Sequence, residues 1–325
     1  MCAASSTPSS LTTTTIATIM PGSPWKWQPK DGAPRLSRKK IAEQTLNAIK
    51  HGHFDLNGVR HDLATAEERS SRSTKYYAPN SLLSTWSQAQ GPSSAAGTHI
   101  TISEISTLEG LRNLATSNSH GKIAVLNFAS AKNAGGGFLG GACAQEESLA
   151  RSSTLYPSLM TETAQEFYRL HNRKNQGHGF YTHAMIYSPS VLFFRDDDGK
   201  WLDPVEVDVV TSPAVNAGAV RADASDKNER LEENITNEMW ERMGRVLFLC
   251  EKMGAKTLVL GSFGTGVFKN KVSIVARHWA DLLAVPGARF ASSFSRIEFA
   301  ILGKETINEF REAFGTRRKE RGAIG

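Results

Sequence analysis

The chain has 325 residues, 40% of them hydrophobic and 22% charged, which is enough for one large α/β domain or two smaller ones. Its apolar runs, such as Lys122 to Phe128 and Thr257 to Leu260, are strand-sized, so they exclude a membrane span and point to a soluble protein. A formal charge of +6 suits an anionic partner without naming one, and no helix-turn-helix, zinc-finger or RNA-recognition signature gives reason to expect direct nucleic-acid binding.

Residues 1–24 are rich in Ser and Thr and carry no charged side chain, so they read as a disordered leader rather than a targeting signal. Residues 25–97 read as an N-terminal helical accessory region and linker. Ser37 caps a helix through Ile41, Ala42, Thr45, Leu46 and Ile49 that stops near Gly52. Ala64 to Ser73 is polar, Tyr76 and Tyr77 before Pro79 mark a return to packed structure, and Gln88 to Gly97 is the linker candidate. This accessory layer is expected to close one end of a binding groove.

From residue 98 strands and helices alternate. Strands are expected at Thr98–Ser103, Lys122–Phe128, Thr182–Tyr187, Val191–Phe194, Val207–Val210, Thr257–Leu260 and Arg296–Leu302. Helices are expected at Thr107–Thr116, from about Ala144, at Leu231–Met253, at Val272–Leu283 and at Glu305–Phe314. The alternation predicts an α/β domain over 98–315, with a mixed, largely parallel sheet covered on both faces. Arg317, Arg318, Lys319 and Arg321 fall in a basic tail over 316–325, which, like Arg35, Arg38, Lys39 and Lys40, reads as a solvated face or tail. Cys2, Cys143 and Cys250 form no CxxC pair, which argues against a disulfide framework and a zinc site, and suits a cytoplasmic or nuclear setting.

Two glycine loops follow predicted strands. Asn133-Ala134-Gly135-Gly136-Gly137-Phe138-Leu139-Gly140-Gly141 lies between a strand and a helix, where backbone amides can close on phosphate or ribose. Gly261-Ser262-Phe263-Gly264-Thr265-Gly266-Val267-Phe268 holds the same kind of position. Neither is a Walker loop, and Lys269 stands where the dinucleotide fingerprint requires glycine. Together they suggest a clamped diphosphate, with Phe263 and Phe268 either covering a ribose or base or belonging to the core.

Gln145, Glu146 and Glu147 open the helix after the first loop. Acidic residues suit any helix N-terminus, but here the loop would deliver a sugar phosphate beside them. Consecutive helical residues point about 100° apart, so one glutamate can hold a ribose hydroxyl while the other faces a scissile bond.

Gly135-Gly136-Gly137, seven intervening residues and Gln145-Glu146-Glu147 are similar to the signature of poly(ADP-ribose) glycohydrolases. The runs Val125 to Ala129, Ser148 to Tyr156, Thr211 to Gly218 and Gly264 to Phe268, with Tyr76-Tyr77-Ala78-Pro79, resemble the microbial-type branch over roughly residues 35–315. The resemblance implies a macrodomain-like three-layer core and hydrolysis of ribose–ribose O-glycosidic bonds, with no metal and no cofactor. It implies Glu147 as catalytic acid, Glu146 as its ribose-orienting neighbour, and Gln145, Gly135, Gly136, Gly137, Phe138, Gly264, Thr265, Gly266, Val267 and Phe268 as substrate contacts. Macrodomains often carry an asparagine where this chain has Ala129 or Ser130, so the distal-ribose contact is assigned to Asn133 or Asn127. The expected partner is poly(ADP-ribose) or an ADP-ribosylated protein, and a monomer is expected. Two alternatives stay open: a reader that binds ADP-ribose without hydrolysis, and a hydrolase for mono(ADP-ribosyl) groups.

Overall fold

Strand β5 (Lys122–Phe128) shows why the sheet is covered on both faces. Ala124 and Leu126 enter the apolar cluster on one side, and Ile123 and Val125 enter the cluster on the other. Strand side chains alternate, so a run that is apolar at every position needs a layer on each face. The computed structural model describes residues 36–92, 97–116, 121–173, 179–224 and 229–322, and these described residues form one compact unit. The expected leader over 1–24 lies outside the described residues.

Seven strands make the main sheet. Their order is β3 (Lys75–Tyr77), β6 (Met185–Arg195), β7 (Trp201–Ser212), β5, β8 (Ala255–Leu260), β9 (Arg296–Ala300) and β4 (His99–Ser103). The β3–β6 and β6–β7 pairs are antiparallel, while β7, β5, β8, β9 and β4 run parallel. One face carries α3 (Thr107–Thr116), α4 (Gln145–Ser152), α5 (Leu155–Met160) and α6 (Glu162–His171). The other carries α7 (Ala217–Asp223), α8 (Glu229–Lys252), α9 (Val272–Leu283) and α10 (Lys304–Gly322). This is the expected mixed, mostly parallel three-layer architecture.

The N-terminal layer has the expected helix, α1 (Arg38–His51), capped by Ser37 and ended by Gly52 in the left-handed region. It also holds structure that was not expected. A two-stranded hairpin, β1 (His53–Leu56) and β2 (Val59–Asp62), turns at Asn57-Gly58, both at positive φ as a tight hairpin turn requires. Polar Ala64–Ser73 is helix α2, whose first amides are accepted by the Asp62 carboxylate at 3.2 and 3.3 Å. The two expected strands around residues 182–194 fuse into β6, with an irregularity between Ser188 and Val191. The basic stretch expected as a tail from 316 is instead the end of α10, helical to Gly322 and tied to α9 by Arg317 and Asp281 at 2.7 Å.

α1 backs the face of the sheet that carries α4. Thr45 Oγ1 donates to the Arg151 carbonyl of α4 at 2.6 Å, and Ala42 packs with Phe138 and Ala150. None of residues 36–92 lines the cleft described below, so this described part of the layer stands behind the groove rather than across its end. It presses α4 and the first glycine loop onto the sheet instead.

Candidate active site

The cleft begins where two parallel strands part. β5 and β8 stay paired only to Val125 and Val259, whereas β5 and β7 stay paired to Phe128 and Ser212. Past Val125 the β8 side of β5 therefore needs other hydrogen-bond partners. Gln145 supplies them: its Oε1 accepts from the Phe128 amide at 2.9 Å, and its Nε2 donates to the Leu126 carbonyl at 2.8 Å and to Thr107 Oγ1 at 3.3 Å. Gln145 borders the cleft, but its amide is committed to fastening α4 onto the end of β5. A cavity of about 770 Å³ opens above this junction, within the range of small-molecule sites.

Both glutamates sit in the first turn of α4 and both are buried. Glu146 is held on both oxygens: Oε2 accepts from the Ser130 amide at 2.7 Å, and Oε1 accepts from Asn127 Nδ2 at 3.3 Å. Asn127 Nδ2 also donates to Thr211 Oγ1 at 3.2 Å. Burial pushes the Glu146 carboxyl up from 4.5 to about 8, against the pull of the Ser130 amide and Asn127. Glu147 is held differently. Its Oε1 accepts from the Gly137 amide at 2.9 Å, and its Oε2 has no hydrogen-bond partner among the described residues.

That contact explains one glycine of the triplet. Gly136 sits at φ +59°, and a Cβ there would lie 2.3 Å from Glu147 Oε1 and 3.1 Å from Glu146 Oε2. Backbone and carboxylates can approach this closely only without a side chain. In this structure Gly135, Gly136 and Gly137 are not among the residues lining the cavity. The triplet packs against the carboxylates it was expected to stand beside. Asn133 does line the cavity, and its carbonyl accepts from the Gly136 amide at 3.0 Å.

Two assignments are corrected. Phe138 is fully buried against Tyr156, with ring centroids 4.9 Å apart, because the loop turns it beneath itself into the α1–α4 contact. Asn127 is also fully buried, and its amide orients Glu146 instead of reaching the cleft, which leaves Asn133 as the asparagine within reach.

The tip of the second loop reaches the cavity. Gly264, Thr265, Gly266, Val267 and Phe268 all line the cavity. The amides of Gly266, Val267 and Phe268 donate to no acceptor among the described residues, so three consecutive N–H groups stand ready for an anion. Gly264 is at φ +74°, where a Cβ would meet Ala214 at 2.3 Å and Asn270 at 2.7 Å. Asn270 Nδ2 fixes this turn by donating to the Gly264 carbonyl at 3.0 Å and the Val215 carbonyl at 2.7 Å. Of the two aromatic residues, Phe263 is core, packed on Phe128 at 5.4 Å, and Phe268 faces the cleft.

Other parts of the wall gave little sequence signal. Tyr181 lines the cavity at φ +54° and lies 6.0 Å from the Phe268 ring. The fully buried guanidinium of Arg242 holds its backbone by donating to the carbonyls of Phe180, Tyr181 and Pro213 at 3.0, 3.2 and 3.0 Å. Ser130, Thr211, Asn270 and Arg242 act through hydrogen bonds to positions 16 to 84 residues away or to loop carbonyls, which no local spacing reveals. Among the described residues no cluster of His, Cys, Asp and Glu is placed to hold a metal ion, and no helix is long and apolar enough to cross a membrane.

A mixed sheet with helices on both faces, a glycine turn against paired carboxylates and an amide cradle on the neighbouring loop define a macrodomain-like site. The profile of the microbial-type PARG catalytic domain matches residues 42–196. A crystal structure of poly(ADP-ribose) glycohydrolase from Thermomonospora curvata is 36% identical, with a TM-score of 0.76 over 86% of this chain and 98% of that one. The same enzyme bound to the inhibitor ADP-HPD gives a TM-score of 0.74 at 36% identity, with the same coverage of 86% and 98%. The Deinococcus radiodurans enzyme in complex with ADP-ribose is 35% identical, with a TM-score of 0.68 over 81% of this chain and 99% of that one. No curated protein matches. The chain belongs to the microbial-type poly(ADP-ribose) glycohydrolase family.

Proposed function

We propose that the cleft hydrolyses the ribose–ribose O-glycosidic bond of poly(ADP-ribose) and releases ADP-ribose, with Glu147 as the proton donor. The observation that carries this assignment is the asymmetry of the two carboxyls: both oxygens of Glu146 are engaged, whereas Glu147 Oε2 is free beside the cavity. The amides of Gly266, Val267 and Phe268 take the diphosphate, Phe268 packs on a ribose, and Asn133 meets the distal ribose. Each fits the chemistry of its group, since free amides bind phosphate oxygens and a ring face covers a sugar.

Cleavage of a glycosidic bond builds an oxocarbenium-like centre while the departing oxygen needs a proton. Glu147 Oε2 donates a proton to the bridging oxygen as the anomeric C–O bond breaks. The resulting carboxylate then accepts a proton from the water that attacks the anomeric carbon, which restores the acid. Gly137 keeps the carboxyl plane fixed throughout, because its amide stays on Oε1. Only one carboxyl changes protonation in this scheme.

The test is purified full chain incubated with labelled poly(ADP-ribose), beside Glu147→Gln. The wild-type chain is expected to release ADP-ribose. The variant should bind ADP-ribose with unchanged affinity and cleave roughly 100- to 10,000-fold more slowly, the usual worth of general acid catalysis. Equal rates would remove Glu147 from the mechanism. Binding without release by the wild-type chain would make the protein a reader, and faster release from a singly modified peptide than from polymer would make it a mono(ADP-ribosyl) hydrolase.

A further inference from the structure

Helix α9 joins two cavities. Val272, in its first turn, lines the catalytic cleft, while Asp281 and Leu282, in its last turn, line a second cavity of about 590 Å³. Ten residues of helix at 1.5 Å each separate these points by about 15 Å along the axis.

The second cavity has aromatic walls. Half-buried Trp240 of α8 meets Trp86 edge-on at 5.8 Å and lies 5.4 Å from the ring of His278. Trp86 is immobilised: its Nε1 donates to Glu241 at 2.8 Å, its ring stacks on Phe290 at 6.0 Å, and it fills a gap left by Gly244, where a Cβ would sit 2.4 Å from the indole. His278 brings no charge at neutral pH, since burial pulls it down to about 4 against the opposing pull of the Thr236 carbonyl, which accepts from its Nε2.

The rim is basic. Arg289 lines the cavity but is matched by Glu251 through two hydrogen bonds at 3.1 and 2.8 Å. Asp281 and Glu320 are both taken by Arg317, at 2.7 and 3.5 Å. Arg318, Lys319 and Arg321 are exposed on the end of α10 and form no ion pair among the described residues, and Arg321 itself lines the cavity. An indole beside unmatched cations is the arrangement that holds base-bearing, single-stranded polyanions, through stacking on the ring and attraction to the phosphates. A polymer of ADP-ribose has that chemistry, with an adenine and a diphosphate in every unit.

We propose that this second cavity binds a further stretch of the polymer whose terminal or scissile unit occupies the catalytic cleft. The inference rests on the polymer-hydrolase reading given above. Holding one chain at two places turns the second encounter into an intramolecular one and raises the effective concentration of substrate at the cleft. Long chains are therefore preferred over the shortest cleavable ones, and the basic end of α10 gains a function.

The test uses the full chain carrying Glu147→Gln and fluorescence anisotropy with labelled long polymer and with monomeric ADP-ribose. Adding Trp240→Ala should weaken long-polymer binding about tenfold, the order expected for one stacked base. Adding Arg321→Glu, a change at an exposed position that leaves the core intact, should weaken it severalfold and flatten its salt dependence. Neither should alter the affinity for monomeric ADP-ribose. With Glu147 restored, both variants should raise KM for long polymer and leave kcat and hydrolysis of the shortest chain unchanged. Long-polymer affinity equal to that of the parent in both variants would overturn the proposal. So would tighter, Trp240-dependent binding of single-stranded DNA, which would assign the cavity to nucleic acid. If the parent with Glu147 cleaves no polymer while the variants still lose polymer binding, the hydrolase reading fails and the second site stands.

Discussion

Gly136→Ala tests whether the first glycine loop exists to let the backbone meet the carboxyl of Glu147, the proposed proton donor. The added methyl would lie 2.3 Å from Glu147 Oε1 and 2.9 Å from its Cδ. Ordinary contact begins near 3.4 Å, so the carboxyl must retreat by about an ångström, and a misplacement of that size typically costs about 100-fold in rate. The retreat also strains the 2.9 Å bond from the Gly137 amide. Alanine at φ +59° adds roughly 1–2 kcal/mol of backbone strain. The expected result is kcat lowered about 100-fold, ADP-ribose affinity changed much less, and stability lowered by about 1–2 kcal/mol. Steady-state ADP-ribose release, titration calorimetry and a urea melt give the three readings. Gly140→Ala in the same loop is the control, since a Cβ there meets nothing within 4 Å. If Gly136→Ala kept more than a third of wild-type kcat, the close approach would have no catalytic role.

Two further predictions concern buried charge. Glu146 carries a folded-state value of about 8 against an ordinary 4.5, so the native chain keeps a proton that the unfolded chain has lost. Stability therefore falls as pH rises from 4.5 to about 8 and then levels, a loss on the order of 5 kcal/mol. Glu146→Gln should gain on the wild-type chain across that window in urea melts at pH 5 and pH 9, and an unchanged difference would show that the burial is not felt. Arg242→Leu leaves the carbonyls of Phe180, Tyr181 and Pro213 without their donor and should cost about 3–5 kcal/mol. It should also raise KM by freeing Tyr181, and a melt within 1 kcal/mol of wild type would deny the guanidinium its structural role.

The layered fold was legible because its central strands hold unbroken apolar runs, Ile123 to Leu126 and Leu258 to Leu260, and its helices carry their apolar faces at helical spacing. β5, β8 and α8 appear where the pattern puts them. The hairpin at Asn57-Gly58 carried a turn signal strong enough to predict, but its strands lack alternation: Phe54 alone is buried in either. Polar α2 hides its helical face behind Ala66 and Ser70, residues too small to mark an apolar stripe. At the site, the glutamates and the tip of the second loop were legible because glycines and carboxyls at fixed spacing state their chemistry locally. Phe138 was misplaced because a loop's direction depends on what packs behind it, here Ala42 from α1. The supports supplied by Ser130, Thr211, Asn270 and Arg242 exist only once the chain has folded.

Glu146 and the glycine triplet answer one electrostatic problem. A diphosphate brings two negative charges to a cavity already flanked by two carboxyls, and like charges at short range in a partly buried site repel by several kcal/mol. Burial keeps a proton on Glu146 at neutral pH, so one of the carboxyls contributes little charge. The Gly137 amide meets the other, and the amides of Gly266, Val267 and Phe268, which have no acceptor among the described residues, lie at the cavity wall. The first loop therefore serves the protein's own carboxyls, and in the proposed reaction the second serves the substrate's diphosphate. Both sets of donors are fixed before substrate arrives, by Gln145 and α1 on one side and by Asn270 on the other. Preorganised donors need no rearrangement as charge moves in the transition state, so the rigidity that the glycines give up is returned by their neighbours.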